Sequence, residues 1–175
     1  MLGNRSVLHC AALALSLLIS AHSASAQSNF SIRNPASGLV LDVVGASTAD
    51  GQAVVLFQRN NQKNQIFFQA AETDNTFSLV AIHSFKCLDV AGFSQQDGAP
   101  VIQFGCHRGT NQRWTSQRMG RGVILKSVNS GKCLDARNGD FPFPPASGTT
   151  LQQWTCISSR TDANAVNQIF QLGGF

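Results

Sequence analysis

The sequence predicts an all-β fold of about twelve strands, arranged as three tandem repeats of four. Three observations carry this. The run Cys87-Leu88-Asp89-Val90 returns as Cys133-Leu134-Asp135-Ala136 and, without the cysteine, as Val40-Leu41-Asp42-Val43. Downstream of each lies an Asn-Gln pair with an aromatic two residues on: Asn64-Gln65-Ile66-Phe67, Asn111-Gln112-Arg113-Trp114 and Asn167-Gln168-Ile169-Phe170. The Asp residues stand 47 and 46 positions apart, the Gln residues 47 and 56. A period in this range marks one supersecondary unit used several times, and a unit that small cannot bury its own core. Lastly, several short runs alternate apolar and polar residues, as half-buried strands do, while no segment keeps helical periodicity beyond a couple of turns.

Residues 1–26 read as a secretory leader. Arg5 supplies its positive start, Val7 to Ala21 its apolar stretch, and Ala24-Ser25-Ala26 a small-residue cleavage site before Gln27. The stretch is short for a membrane span, and no later segment is apolar enough to be one. An uncleaved anchor is the alternative. The expected product is a secreted or periplasmic single domain, residues 27–175, with repeats at about 27–73, 74–120 and 121–175. The first repeat offers strand runs at 30–33, 39–43, 53–57 and 65–70, the second at 77–82, 86–90, 100–104 and 112–117. The third offers 123–128, 132–136, 150–154 and 168–172. Turn signals separate them, among them Pro35-Ala36-Ser37-Gly38, Asp50-Gly51, Asp97-Gly98, Asn138-Gly139 and Ser147-Gly148.

The third repeat carries two insertions. Nineteen positions separate Asp135 from Trp154, against 15 from Asp42 to Phe57 and from Asp89 to Phe104. The excess coincides with Phe141-Pro142-Phe143-Pro144-Pro145. From Cys156 to Asn167 there are 11 positions, against 5 from Cys106 to Asn111. Both fall between strand runs, where loops tolerate extra length.

Composition narrows the partners. Of 13 Lys and Arg, Arg5 lies in the leader, which leaves 12 against 9 Asp and Glu. The basic residues are scattered and form no stripe, which argues against nucleic acid. Few charges and many Asn and Gln make an uncharged, hydrogen-bonding surface suited to a polar neutral ligand. Four of the five cysteines lie beyond the leader, an even set in an oxidising setting. Cys87 and Cys106 occupy places matching Cys133 and Cys156, and the first repeat replaces both members of the pair, with Val40 and Arg59. Joint replacement fits pairing within a repeat, so Cys87–Cys106 and Cys133–Cys156 are expected. A zinc site is the weaker alternative, since the cysteine spacings are not metal-like and His83 and His107 look isolated.

The Cys-Leu-Asp run, the aromatic two residues before the second cysteine and the Asn-Gln-x-aromatic ending together resemble the ricin B-type lectin family, also called QxW repeats. The resemblance covers essentially residues 27–175. It implies a β-trefoil, in which three hairpins form a short barrel and three cap it, with a shallow sugar pocket in each repeat. Carried over residue by residue, the first pocket uses Asp42, Phe57 and Asn64, the second Asp89, Phe104 and Asn111, and the third Asp135, Trp154 and Asn167. Gln65, Gln112 and Gln168 resemble positions that brace the Asp from behind. A further family Gln, four residues before the second cysteine, survives only as Gln152, with Val55 and Ile102 at the matching places.

These residue types suit a sugar. A carboxylate accepts from two neighbouring hydroxyls, an amide both donates and accepts, and an aromatic face covers the C–H patch of a pyranose. The blander readings are that the Asp residues cap turns and that Phe57, Phe104 and Trp154 belong to the core. Phe67, Trp114 and Phe170 are expected in the core in any case. The second repeat, with a disulfide and the shortest loops, is expected to bind best.

Catalysis has little to stand on. Glu72 is the only Glu, the three repeat Asp residues should be held apart by symmetry, and no carboxylate pair for glycoside hydrolysis is in view. No catalytic residue, metal or cofactor is expected. The sequence therefore points to a secreted lectin for neutral sugars, galactose-type or related glycans. The alternatives are a protein-binding β-trefoil, such as a protease inhibitor or toxin-delivery subunit, to which the 141–145 loop would suit, or a carbohydrate-targeting partner of a separate enzyme.

Overall fold

A computed structural model describes residues 28–137, 143–159 and 165–174; the expected leader and its cleavage site lie outside them, as do Phe141 and Pro142 of the insertion. Twelve strands follow in chain order. The first repeat holds β1 (Ser31–Arg33), β2 (Val40–Val43), β3 (Gln52–Phe57) and β4 (Phe67–Ala71). The second holds β5 (Phe77–Ala81), β6 (Cys87–Val90), β7 (Val101–Phe104) and β8 (Trp114–Met119). The third holds β9 (Gly122–Ser127), β10 (Cys133–Ala136), β11 (Thr149–Trp154) and β12 (Gln171–Gly173). Every expected strand run is present, with ends shifted by up to three residues. The exception in kind is the Asn-Gln segment, which winds into a single helical turn (Lys63–Gln65, Thr110–Gln112, Ala165–Gln168) before its strand begins.

Six strands close a barrel. β4 pairs β5, β8 pairs β9, and β12 returns to β1, all antiparallel. The joints between these hairpins are Phe30↔Phe67, Phe77↔Trp114 and Val123↔Phe170. Each joint therefore carries the aromatic that ends an Asn-Gln motif. Phe67, Trp114 and Phe170 are 1 %, 0 % and 0 % exposed, and the Trp114 indole N–H donates to Leu88 O at 3.2 Å. They belong to the core, as the sequence predicts. Between them pack Leu41, Leu88 and Leu134 from the cap, and Leu79 and Leu125 from the barrel. Burying each such side chain contributes about 2 kcal/mol.

The other six strands form the cap: hairpins β2–β3, β6–β7 and β10–β11. Their register sets Asp42 opposite Val55, Asp89 opposite Ile102 and Asp135 opposite Gln152. The hairpins join in a ring through Gly51 N–H to Gln103 O, Gly98 N–H to Gln153 O and Gly148 N–H to Leu56 O, at 3.0, 2.9 and 2.8 Å. Two of these joints carry an extra clasp. The Gln103 amide donates to Ser47 O and Ala49 O, and its oxygen accepts from Ser84 Oγ. Gln153 does the same with Ser94 O, Gln96 O and Ser130 Oγ. Ion pairs Asp50–Lys86 and Asp97–Lys132 lie beside them. At the third joint the matching residues are Leu56, Ser147 and Leu39.

Both disulfides pair within a repeat, Cys87–Cys106 and Cys133–Cys156, as expected. Among the described residues no helix is long and apolar enough to cross a membrane.

Candidate functional site

Each cap hairpin carries its Asp one residue before the strand ends. A single helical turn, returning from the second strand, brings the Asn-Gln pair against it. Asp42, Asp89 and Asp135 are 6 %, 3 % and 4 % exposed. Asp42 and Asp89 do not cap the turns that follow them, which start from Val43 and Val90 with no side-chain cap.

The Gln residues lie beneath the carboxylates and are fully spent there. Gln65 Nε2 donates to Asp42 Oδ2 and Gln58 O, both at 2.8 Å, while its oxygen accepts the Asn60 N–H at 2.9 Å. Gln112 holds Asp89 Oδ2 (2.8 Å), Gly105 O (2.9 Å) and the His107 N–H (2.8 Å). Gln168 holds Asp135 Oδ2 (3.0 Å), Thr155 O (3.0 Å) and the Ile157 N–H (2.9 Å). All three amides therefore hold the carboxylate and two backbone groups at once.

The Asn residues are only half spent. Asn64 Nδ2 donates to Val43 O at 3.0 Å, and Asn111 Nδ2 to Val90 O at 3.1 Å and Asp89 Oδ2 at 3.0 Å. In all three repeats the Oδ1 of this Asn is buried without a hydrogen-bond partner: Asn64, Asn111 and Asn167. A buried acceptor left unmade costs free energy, so its threefold recurrence marks a place for a donor from outside.

The carboxylates differ. Burial raises the Asp42 carboxyl above its ordinary range, against the pull of Gln65, Asn64 and His83. Gln65 takes its Oδ2. At Asp89, Gln112, Asn111 and His107 all converge on Oδ2, which again leaves Oδ1, and burial again raises the carboxyl. At Asp135, Gln152 takes Oδ1 at 2.8 Å while Gln168 takes Oδ2. Burial raises this carboxyl too, with Asp97 adding repulsion.

Phe57, Phe104 and Trp154 are 43 %, 39 % and 40 % exposed, so they stand as walls and not as core. The first repeat holds an open cleft of ≈ 520 Å³ lined by Asp42, Val44, Phe57, Asn60, Gln62 and Asn64, among others. Sequence reasoning favoured the second pocket, on its disulfide and short loops. It missed Asn60, Gln62, Phe93 and His107. Its available signal was the position after the second cysteine, which reads Asn60, His107 and Ile157 across the repeats.

The description of the ricin-type beta-trefoil lectin domain matches residues 28–163. The chain belongs to this family. A β-trefoil lectin domain of this kind has close structural counterparts. The designed 3-fold symmetric protein ThreeFoil is 32 % identical, with a TM-score of 0.75 over 84 % of this chain and 99 % of that one. The exo-beta-1,3-galactanase 1,3Gal43A from Clostridium thermocellum is 28 % identical, with a TM-score of 0.75 over 85 % of this chain but 30 % of that one. The Macrolepiota procera ricin B-like lectin, solved in complex with lactose, shares the fold at 18 % identity, with a TM-score of 0.69 over 86 % and 98 % of the two chains. No curated protein matches the sequence significantly. The family match points to a carbohydrate-binding domain, and the two disulfides suit an extracellular setting.

Proposed function

We propose that the protein is a secreted lectin that binds neutral sugars of the galactose type, or related glycans, through up to three shallow pockets. The observation that carries this is the recurring set of one buried carboxylate, one Asn oxygen without a partner and one half-exposed aromatic wall. A sugar hydroxyl pair can donate to the carboxylate Oδ1 and the Asn Oδ1 while the ring's C–H face covers the aromatic. The first pocket is the strongest candidate, because its carboxylate and Asn line an open cleft. In the third, Gln152 and Gln168 each donate to one carboxylate oxygen, so a ligand shares Oδ1 with Gln152. The lactose-bound neighbour and the galactanase neighbour support the galactose type.

Likeness to part of the galactanase also favours a second reading, in which the chain targets a separate enzyme to carbohydrate. A glycan array followed by calorimetry with lactose tests the leading proposal. Binding to neutral glycans that Asp42→Ala weakens at least tenfold is expected. Silence across the array, together with capture of a glycoside hydrolase or another protein, would overturn it.

A further inference from the structure

We propose that the first cleft takes a chain of at least two neutral sugars, whose second ring lies across the joint between the third and first repeats, on Gly148, Ser147 and Leu39. The inference rests on the reading of the first cleft as a sugar pocket and extends it to a subsite beyond Asp42 and Asn64. Each aromatic wall is bordered by a turn of the preceding repeat, the one ahead of the second hairpin strand. Gly148 of the third repeat lines the first cleft, beside Phe57. Gly98 of the second lies against the third wall, where a Cβ would stand 3.6 Å from Trp154. Asp50 of the first reaches Gly105, the residue after the second wall, Phe104. What stands at this border decides whether a ligand can run on past the aromatic.

At two of the three borders a carboxylate closes the way. Asp50 Oδ1 accepts the Gly105 N–H at 2.8 Å and pairs with Lys86 at 2.5 Å. Asp97 accepts from Thr155 Oγ1 at 2.9 Å and pairs with Lys132 at 2.8 Å. Each ties the neighbouring turn to the residue that follows the wall. At the remaining border the wall is Phe57 and Gln58 follows it, but Ser147 stands for the Asp and Leu39 for the Lys. Both charges are gone together, and among the described residues no ion pair crosses here. The cleft of ≈ 520 Å³ reaches this border, and a Cβ on Gly148 would meet nothing within 4 Å.

These replacements select the ligand. A charged group on the second ring would find no opposite charge in Ser147 and Leu39. A hydroxyl would find the Ser147 hydroxyl, which donates and accepts, and the Gln58 N–H, whose counterpart at Gly105 is taken by Asp50. Half-buried Leu39, packed on the core, offers apolar surface to a C–H face. Asp42, Asn64 and Phe57 orient the first ring, and the border receives the next. Behind their ion pairs the second and third pockets hold one ring only.

Side-chain amide NMR of the full chain, read at Asn64, tests this with galactose, lactose and β-1,3-linked galactobiose as probes. In wild type at least one disaccharide should half-saturate Asn64 at a concentration about fivefold below that of galactose, the worth of roughly one net hydrogen bond. Leu39→Lys combined with Ser147→Asp rebuilds the ion pair of the other borders. It should abolish this gain, while galactose titrates Asn64 as in wild type. Ser147→Asp alone serves as the second variant if the change at Leu39 prevents folding. Any response of Asn111 should show no such gain. Equal half-saturation by galactose and both disaccharides overturns the subsite, as does a gain that survives the rebuilt pair or recurs at Asn111. If no probe moves Asn64, the sugar reading of the cleft itself fails and the subsite falls with it.

Discussion

Asp42, Asp89 and Asp135 hold their charges in places that penalise charge, and Asp50 and Asp97 do the opposite. The first three have carboxyls raised above the ordinary 3.8 by burial. In the folded state each takes up its proton at a higher pH than in the unfolded chain. Each therefore costs stability at neutral pH, and the cost fades as pH falls through the raised value toward 3.8. Asp50 is lowered by its bond to Lys86; at Asp97 burial pushes upward, but Lys132 and Thr155 outweigh it. Those two contribute stability above 3.8 and lose it as pH falls through their lowered values. Melting temperatures from pH 7 to pH 3 should show wild type gaining on Asp135→Asn and losing ground to Asp97→Asn. Parallel curves for the two variants would contradict these assignments. Phe85 offers a second test at this scale. It sits at φ 56, where the other repeats have Gly38 and Gly131, and is 72 % exposed. A bulky residue there costs roughly 1 kcal/mol of strain, partly offset by the entropy of a glycine in the unfolded chain. Phe85→Gly should leave stability unchanged or up to about 1 kcal/mol higher by urea denaturation. A clear loss would mean that the ring packs usefully.

Elements meet through clasps that the repeats do not share equally. Gln103 is 1 % exposed and serves three partners across two repeats. Gln103→Leu removes one of two contacts to Ser47 O, which keeps His83, and leaves Ala49 O and the Ser84 hydroxyl unmatched; it should cost about 2 kcal/mol, or roughly 4–8 °C in a chain of this size. Scanning calorimetry measures this directly, and a loss below about 0.5 kcal/mol would mean that water replaces the amide. The strands were legible in the sequence because Val40-Leu41-Asp42-Val43 and its copies fix register and face together. The disulfides were legible because both cysteines vanish from the first repeat at once. The clasps were not. Gln103 and Gln153 sit at core-facing strand positions, where an alternation pattern suggests an apolar residue, and the carbonyls they hold lie more than fifty positions away. Nor was His107: its neighbours Asp89, Phe93 and Phe104 come together only when β6, β7 and the intervening turn fold over one another.

The whole molecule places three related sets of one Asp, one Asn and one exposed aromatic around a pseudo-threefold axis, one on each cap hairpin. A shallow pocket for one sugar should have a dissociation constant near the millimolar range, about −4 kcal/mol. Several pockets on one dense glycan surface can raise apparent affinity by about 10²–10⁴-fold where geometry permits. Asp42→Ala, Asp89→Ala and Asp135→Ala, alone and combined, should each weaken surface binding far more than they weaken the remaining pockets for free sugar. One substitution that abolishes binding to both ligands would reduce the protein to a single working site. The threefold plan was legible from repeat spacing alone. The inequality of the pockets was not, because it turns on single rim residues such as Asn60 and His107, and on which carboxylate oxygen a neighbouring amide takes.

Barrel closure between β1 and β12 pairs Ser31 with Gly173, Ile32 with Leu172 and Arg33 with Gln171. During synthesis, then, one edge of the first strand waits for residues 142 positions on, while the other meets β2 at once. Contacts so distant in sequence are slow to form, and the waiting edges are open to pairing with other chains. The two disulfides need no such wait, since each spans 19 or 23 positions inside one repeat. Oxidation can therefore run ahead of closure without joining one repeat to another, and a nascent chain can be covalently correct well before its ring is complete.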